Sequence, residues 1–359
     1  MPDGWRVLVT GIACVLAARL ARRLSEDDSV DLVVGVDARL PVHDLGSTRI
    51  VRTELTSPVI AAVMKRERID TLVHLAISST PELRGAQGRT RMRERNVIGT
   101  MQLMAAAQRA PHLRTAILKS TTAVYGSDAR NRALFGEDVP IEAHGGYARD
   151  VIEAEDYARA FARRRDGVLL TVLRFANLLG RDIDSAFARY LTLPVIPTVL
   201  GYDPRLQLCH TDDAVEVLRQ ACLDTRPGVY NVAGPGVLYL SQAARIAGRP
   251  TVPVPIPVVG TLRGVLRHVW MDVPADQLRY LSYGRVADIT RLRQQFSYEP
   301  RYSARDTLQA FLDERGVKPL IERSSLQRLE QCVLKLTRGI ATGGSNDGTS
   351  SGDTGRALT

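Results

Sequence analysis

The stretch VLVTGIACVLAARLARRL, residues 7–24, decides how the rest of the chain is read. It begins as a short apolar strand, bends at Thr10-Gly11, and continues as an alanine and leucine pattern with arginines on one side. A strand that enters a helix through a glycine turn points free helix N–H groups at whatever lies above it, and such groups favour an anion. In openings of this shape the first glycine makes the bend and the second lets backbone approach a pyrophosphate. The third lets helix pack on strand. Here Gly11 keeps the first position, Cys14 stands at the second and Ala17 at the third. A single methyl is tolerated at the third. The side chain of Cys14 projects where a phosphate would come close.

Further along, apolar β-branched runs alternate with alanine-rich helical patterns: DLVVGVD, SPVIAAVMKRER, DTLVHLA, NVIGTMQLMAAAQRA, RTAILKST, YARDVIEAEDYARAFARRR and LLTVLRFANLLG. Fully apolar strands between amphipathic helices imply a parallel sheet covered on both faces. The expected fold is α/β, a doubly wound parallel sheet of Rossmann type with a smaller C-terminal substrate lobe. Texture sets the boundaries: a dinucleotide-binding domain over 1–178 and a substrate lobe over 179–318, some of whose strands return to the sheet. A C-terminal helix at 319–341 and a disordered Gly/Ser/Thr/Asp tail at 342–359 complete the chain.

Bulk properties exclude several classes. With 45% hydrophobic and 24% charged residues, the 359-residue chain has the composition of a soluble globular protein. The formal charge of +9 suits phosphorylated small molecules, and no nucleic-acid motif accompanies it. Cys14, Cys209, Cys222 and Cys332 lack ligand or disulfide spacing, so neither a metal site nor a disulfide framework is expected. No apolar run is long enough for a membrane span. Arginines follow the N-terminal apolar run where a signal peptide would be uncharged, so a cytoplasmic protein is expected.

Asp37 ends the second expected strand, where a carboxylate accepts the adenosine ribose hydroxyls and repels a 2′-phosphate, favouring NAD over NADP. Seven stretches then occur in order: VTGIACVLA, DTLVHLA, NVIGT, STTAVYG, LRFANLLGRD, HTDDAV and DITRLRQQFSYEPR. With these, the chain from about Arg6 to Gly316 resembles an extended short-chain dehydrogenase/reductase of the NAD-dependent epimerase/dehydratase family.

The resemblance implies NAD as cofactor, a nucleotide sugar or similar alcohol as substrate, and a homodimer. It places Thr10, Gly11, Cys14, Asp37, Glu54 and Ala76 at the cofactor. Thr121 falls on the family's catalytic Ser/Thr and Tyr147 on the tyrosine of YxxxK. The lysine of that motif is missing, with Val151 in its place. A free phenol has a pKa near ~10, so without a neighbouring cation few tyrosines ionise at neutral pH. Asp150 shares the tyrosine's helical face and opposes ionisation. Thr121-Thr122-Ala123 also lacks the two acids of the family's dehydratases. Arg205 and the cluster GRTRMRER are candidates for a substrate phosphate, while His74 and His210 read as structural. Two functions remain open: hydride transfer on a nucleotide-linked sugar, or a catalytically impaired member that serves as ligand sensor or scaffold.

Overall fold

The computed structural model describes residues 4–81, 85–141, 145–255 and 275–320. The expected C-terminal helix, beyond its first two residues, and the tail lie outside the described residues. Seven parallel strands form the central sheet: β1 (Trp5–Thr10), β2 (Val30–Asp37), β3 (Arg49–Arg52), β4 (Thr71–His74), β5 (Thr115–Thr121), β6 (Leu169–Phe175) and the later β11 (Gly228–Val232). Their spatial order is β11-β6-β5-β4-β1-β2-β3. The chain reverses its direction of winding between β1 and β4, and in open sheets of this kind ligands bind outside the carboxyl ends at that point.

Side chains alternate across a strand, so β1 feeds two cores. Val7 and Val9 face α1 (Val15–Ser25) and α7 (Thr211–Leu223), whereas Leu8 faces α2 (Val59–Arg66), α4 (Gly99–Ala107) and α5 (Gly146–Arg164). Leu16, Leu20 and Leu24 of α1 recur every fourth residue and are all buried against the sheet. Each contributes about 1.5–3 kcal/mol of burial. A charge at Leu20 would break this docking.

On the opposite face, α3 (Gly85–Arg93) runs through a π-helical turn, Glu94–Ile98, into α4. Between sheet and α5 lies a buried ionic cluster. Arg174 places its Nε 3.0 Å from Oε1 and its Nη2 2.8 Å from Oε2 of Glu155, and a third nitrogen 2.9 Å from the Tyr125 hydroxyl. Burial alone would push Glu155 up, but Arg174, Ser120 and Arg159 hold its carboxyl below the ordinary range.

The smaller lobe is built from short pairs: β7 (Asn177–Leu179) with β10 (Leu208–His210), β8 (Ile196–Val199) with β13 (Thr251–Val254), and β9 (Arg205–Leu206) with β12 (Leu238–Tyr239). Helices α6 (Ala186–Leu191) and α8 (Leu240–Ile246) and the helices Ala275–Tyr283 and Ala304–Glu314 pack with them around Phe187, Leu191, Tyr280 and Phe311. Each strand of the β8–β13 pair carries a proline, Pro197 in the first and Pro253 in the second.

Candidate active site

A cleft of about 1190 Å³ opens above the carboxyl ends of β1, β4 and β5, with Phe187, Arg279, Tyr280 and Arg285 of the lobe on its far wall. Its inner rim is the β1–α1 turn. Gly11 has φ +77°, and a Cβ there would stand 2.8 Å from the backbone of Ala76, so only glycine fits. Its N–H donates to the Val36 carbonyl at 2.9 Å, which ties the turn to β2. Asp37 closes the same corner: one carboxylate oxygen accepts from Ala13 N–H at 3.2 Å, the other from Arg39 N–H at 3.0 Å. Arg39 Nε also stands 3.8 Å from the second oxygen, and since a carboxylate offers about four acceptor sites, capacity for a ribose hydroxyl remains.

Cys14 is the extended N-cap residue of α1, with its thiol exposed and no capping hydrogen bond. The first-turn amides are therefore not claimed by this side chain, and the sulfur lines the cleft wall without sealing it. The turn, the helix N-terminus and Asp37 together fit the adenosine and diphosphate of a dinucleotide. Glu54 is exposed at the outer edge and Ala76 lies on the floor. Thr10 is different. It is fully buried, outside the cleft lining, and its hydroxyl is committed to His74 and to Leu75 N–H. Its role is behind the cofactor rim, not in it.

His74 stitches three elements together beneath that rim. Thr100 Oγ1 donates to the Asn96 carbonyl at 2.5 Å, so it accepts from His74 Nε2 at 2.8 Å. Nδ1 is then the acceptor for the Thr10 hydroxyl at 2.7 Å. Burial, helped by the charge of Lys119, pushes the imidazole pKa from 6.5 down to about 3. The ring is a neutral structural clasp. Asn96, in the π-helical turn, grips both backbone groups of Ser78 at 2.9 Å and fixes the loop after β4.

Thr121 ends β5 and Tyr147 lies in the first turn of α5; both line the cleft, and the Thr121 hydroxyl lies near enough to the phenol to favour its ionised form. Thr121 Oγ1 accepts from Ala123 N–H at 3.2 Å, which fixes the hydroxyl and leaves its hydrogen for another acceptor. Burial raises the Tyr147 phenol above its ordinary value. Arg285 pulls it down, Asp150 pushes it up, and the Thr121 contact lowers it. Asp150 is itself held by Arg93 at 2.7 Å. Val151 is fully buried in the apolar cluster against the sheet, so α5 brings no cation at that position.

Arg205, expected at a substrate phosphate, lies outside the cleft lining, and its Nη2 donates to the Ala133 carbonyl at 3.0 Å. It sits on a two-residue edge strand that turns it toward the 128–135 loop. Arg279 and Arg285 occupy the lobe wall instead, and Arg285 bonds Ser127 Oγ at 3.0 Å. In the GRTRMRER cluster Arg91 and Arg95 line the cleft, while Arg93 is spent on Asp150 and Glu153. Lys119 was missed by the sequence reading. It lines the cleft floor two residues before Thr121 on β5, and the period of two places both on one face. Among the described residues no cluster of three metal-ligating side chains occurs, and no helix is long and apolar enough to cross a membrane.

A model of the NAD dependent epimerase/dehydratase family matches residues 7–233. An uncharacterized protein of Mycobacterium tuberculosis, Rv0501, is 38% identical over 323 residues, covering 88% of this chain and 85% of its own. Among solved structures, MoeE5 in complex with UDP-glucuronic acid and NAD superposes with a TM-score of 0.66 at 24% identity, over 86% of this chain and 98% of that one. The UDP-glucuronic acid 4-epimerase of Bacillus cereus, with UDP-glucuronic acid and NAD, gives 0.68 at 19% identity, over 87% and 99%.

Proposed function

The chain belongs to the NAD dependent epimerase/dehydratase family, and on that premise we propose that it binds NAD and uses it for hydride transfer on a nucleotide-linked sugar or similar alcohol. The observation that carries this reading is that Thr121 and Tyr147 line the same cleft as the Gly11 turn and Asp37. Bound NAD would supply a nicotinamide that takes up and returns hydride. Asp37 would hold the adenosine ribose, and its charge would reject a 2′-phosphate. Gly11 and the first turn of α1 would receive the diphosphate. The length of the cleft beyond Tyr147, walled by Arg279 and Arg285, suits a second phosphorylated ligand, as in the nucleotide-sugar complexes of MoeE5 and the Bacillus cereus epimerase.

Proton movement falls to Tyr147. Its raised pKa keeps the phenol protonated at neutral pH, so the resting site is prepared to donate a proton to a carbonyl oxygen. Thr121 donates a second hydrogen bond to that oxygen. In the oxidative direction the phenol must first lose its proton, and Arg285 and Thr121 are the features that favour the loss.

Titration of NADH fluorescence, followed by absorbance at 340 nm with a panel of UDP- and dTDP-sugars, tests the reading. NADH binds in the micromolar range and more tightly than NADPH, and one sugar nucleotide is turned over. Tyr147→Phe retains NADH binding and loses about 10²–10⁴-fold in rate. Absence of NADH binding below millimolar concentration refutes the proposal. A second reading, a binding member without turnover, is favoured by the buried Val151 that leaves α5 without a cation. It predicts NADH binding with no rate that Tyr147→Phe alters.

A further inference from the structure

Lys119 is the half-buried cation of the cleft that the mechanism above leaves unused. Its Nζ donates to the Ile77 carbonyl at 3.0 Å, its one hydrogen bond among the described residues. An ammonium carries three donors, so two remain for something that enters the cleft. Three neighbours locate it. Ile77 belongs to the loop after β4 that Asn96 fixes through Ser78. Thr121 lies two residues along the same face of β5. Cys14, on the β1–α1 turn, interacts with its charge and favours it. Lys119 therefore stands between the turn that would receive a diphosphate and the Thr121–Tyr147 pair where reaction would occur.

Burial opposes the charge of Lys119 in the unliganded cleft and lowers its pKa. Among the described residues no carboxylate forms an ion pair with it, and Asp37 is bonded to Ala13 and Arg39 instead. A cation held on a central strand with two donors unspent and no acid beside it is suited to a ligand rich in hydroxyl and phosphate oxygens.

We propose that Lys119 is a coenzyme-binding residue whose ammonium, carried by β5 and not by α5, donates to the ribose and phosphate oxygens of NAD between the β1–α1 turn and Tyr147. This inference rests on the reading that the cleft holds NAD. A nucleotide sugar presents the same oxygen chemistry, so the test separates the two ligands. NADH and UDP are titrated separately into the full chain and into Lys119→Met, Lys119→Gln and Lys119→Arg, with circular dichroism and thermal melting of each. Met and Gln weaken NADH about 10–100-fold, the worth of a charge-assisted contact. Arg retains affinity within about threefold, and UDP affinity stays unchanged in all three variants. Should Met fail to fold, Gln carries the comparison, since it keeps length and polarity without charge. Folded Met or Gln variants that bind NADH as the parent does overturn the proposal, as does a loss confined to UDP. A parent chain that binds no NADH overturns the proposed function first, and that result is distinct from either.

Discussion

Replacement of His74 by glutamine measures what a neutral imidazole contributes beneath the cofactor rim. The unfolded chain takes up a proton on this residue below pH 6.5, whereas the folded protein refuses it until about pH 3. Stability from this site is therefore complete above 6.5 and is lost as pH falls toward 3, because the unfolded state binds more protons over that window. At pH 5 the loss is one and a half pH units at about 1.4 kcal/mol each, or about 2 kcal/mol. Thr10 and Thr100 cannot supply a rescue, since the first already donates to Nδ1 and the second accepts from Nε2. Denaturant unfolding of parent and His74→Gln at pH 7 and pH 5 isolates the term, because all other titrations are common to both. The variant starts about 1–3 kcal/mol lower at pH 7 through its poorer hydrogen bonds, then loses about 2 kcal/mol less than the parent on acidification. Equal losses in the two proteins would refute the buried, neutral assignment.

Three further outcomes follow from the geometry. Gly11→Ala places a methyl against the Ala76 backbone at positive φ; it lowers stability by about 2–5 kcal/mol in denaturant melts and abolishes NADH binding. Cys14→Gly removes the exposed thiol from the wall of the turn, and calorimetry should show NADH bound about three- to tenfold more tightly; unchanged or weaker binding would mean that the thiol does not crowd the diphosphate. Glu155→Gln leaves the Arg174 guanidinium buried beside a neutral amide, and thermal or urea unfolding should record a loss of about 3–5 kcal/mol.

The sheet was legible because its strands are short, apolar and separated by amphipathic helices, a pattern that depends only on local sequence. That Gly11, Asp37, Thr121 and Tyr147 line one cleft was legible for the same reason: each sits at a fixed offset from the end of a strand or the start of a helix. Thr10 misled because a motif letter says nothing of side-chain direction, and the hydroxyl points back to His74. Arg205 misled because a two-residue edge strand has no periodicity to orient it. Arg285 could not have been found, since it reaches Ser127 across 158 positions through the folding of the lobe. Lys119 could have been found only in part. Its spacing of two from Thr121 is visible in the sequence, but a lone lysine near the end of an apolar strand carries no motif that marks it as lining a cleft.

Asp37 binds coenzyme choice to backbone shape. Because the same carboxylate that would meet the ribose also anchors Ala13 and Arg39, exchanging it for a residue that welcomes a 2′-phosphate would slacken the bend at Gly11 as well. A drift toward the phosphorylated coenzyme would thus demand several coordinated replacements in one step, and this corner of the molecule acts as a ratchet on its redox partner.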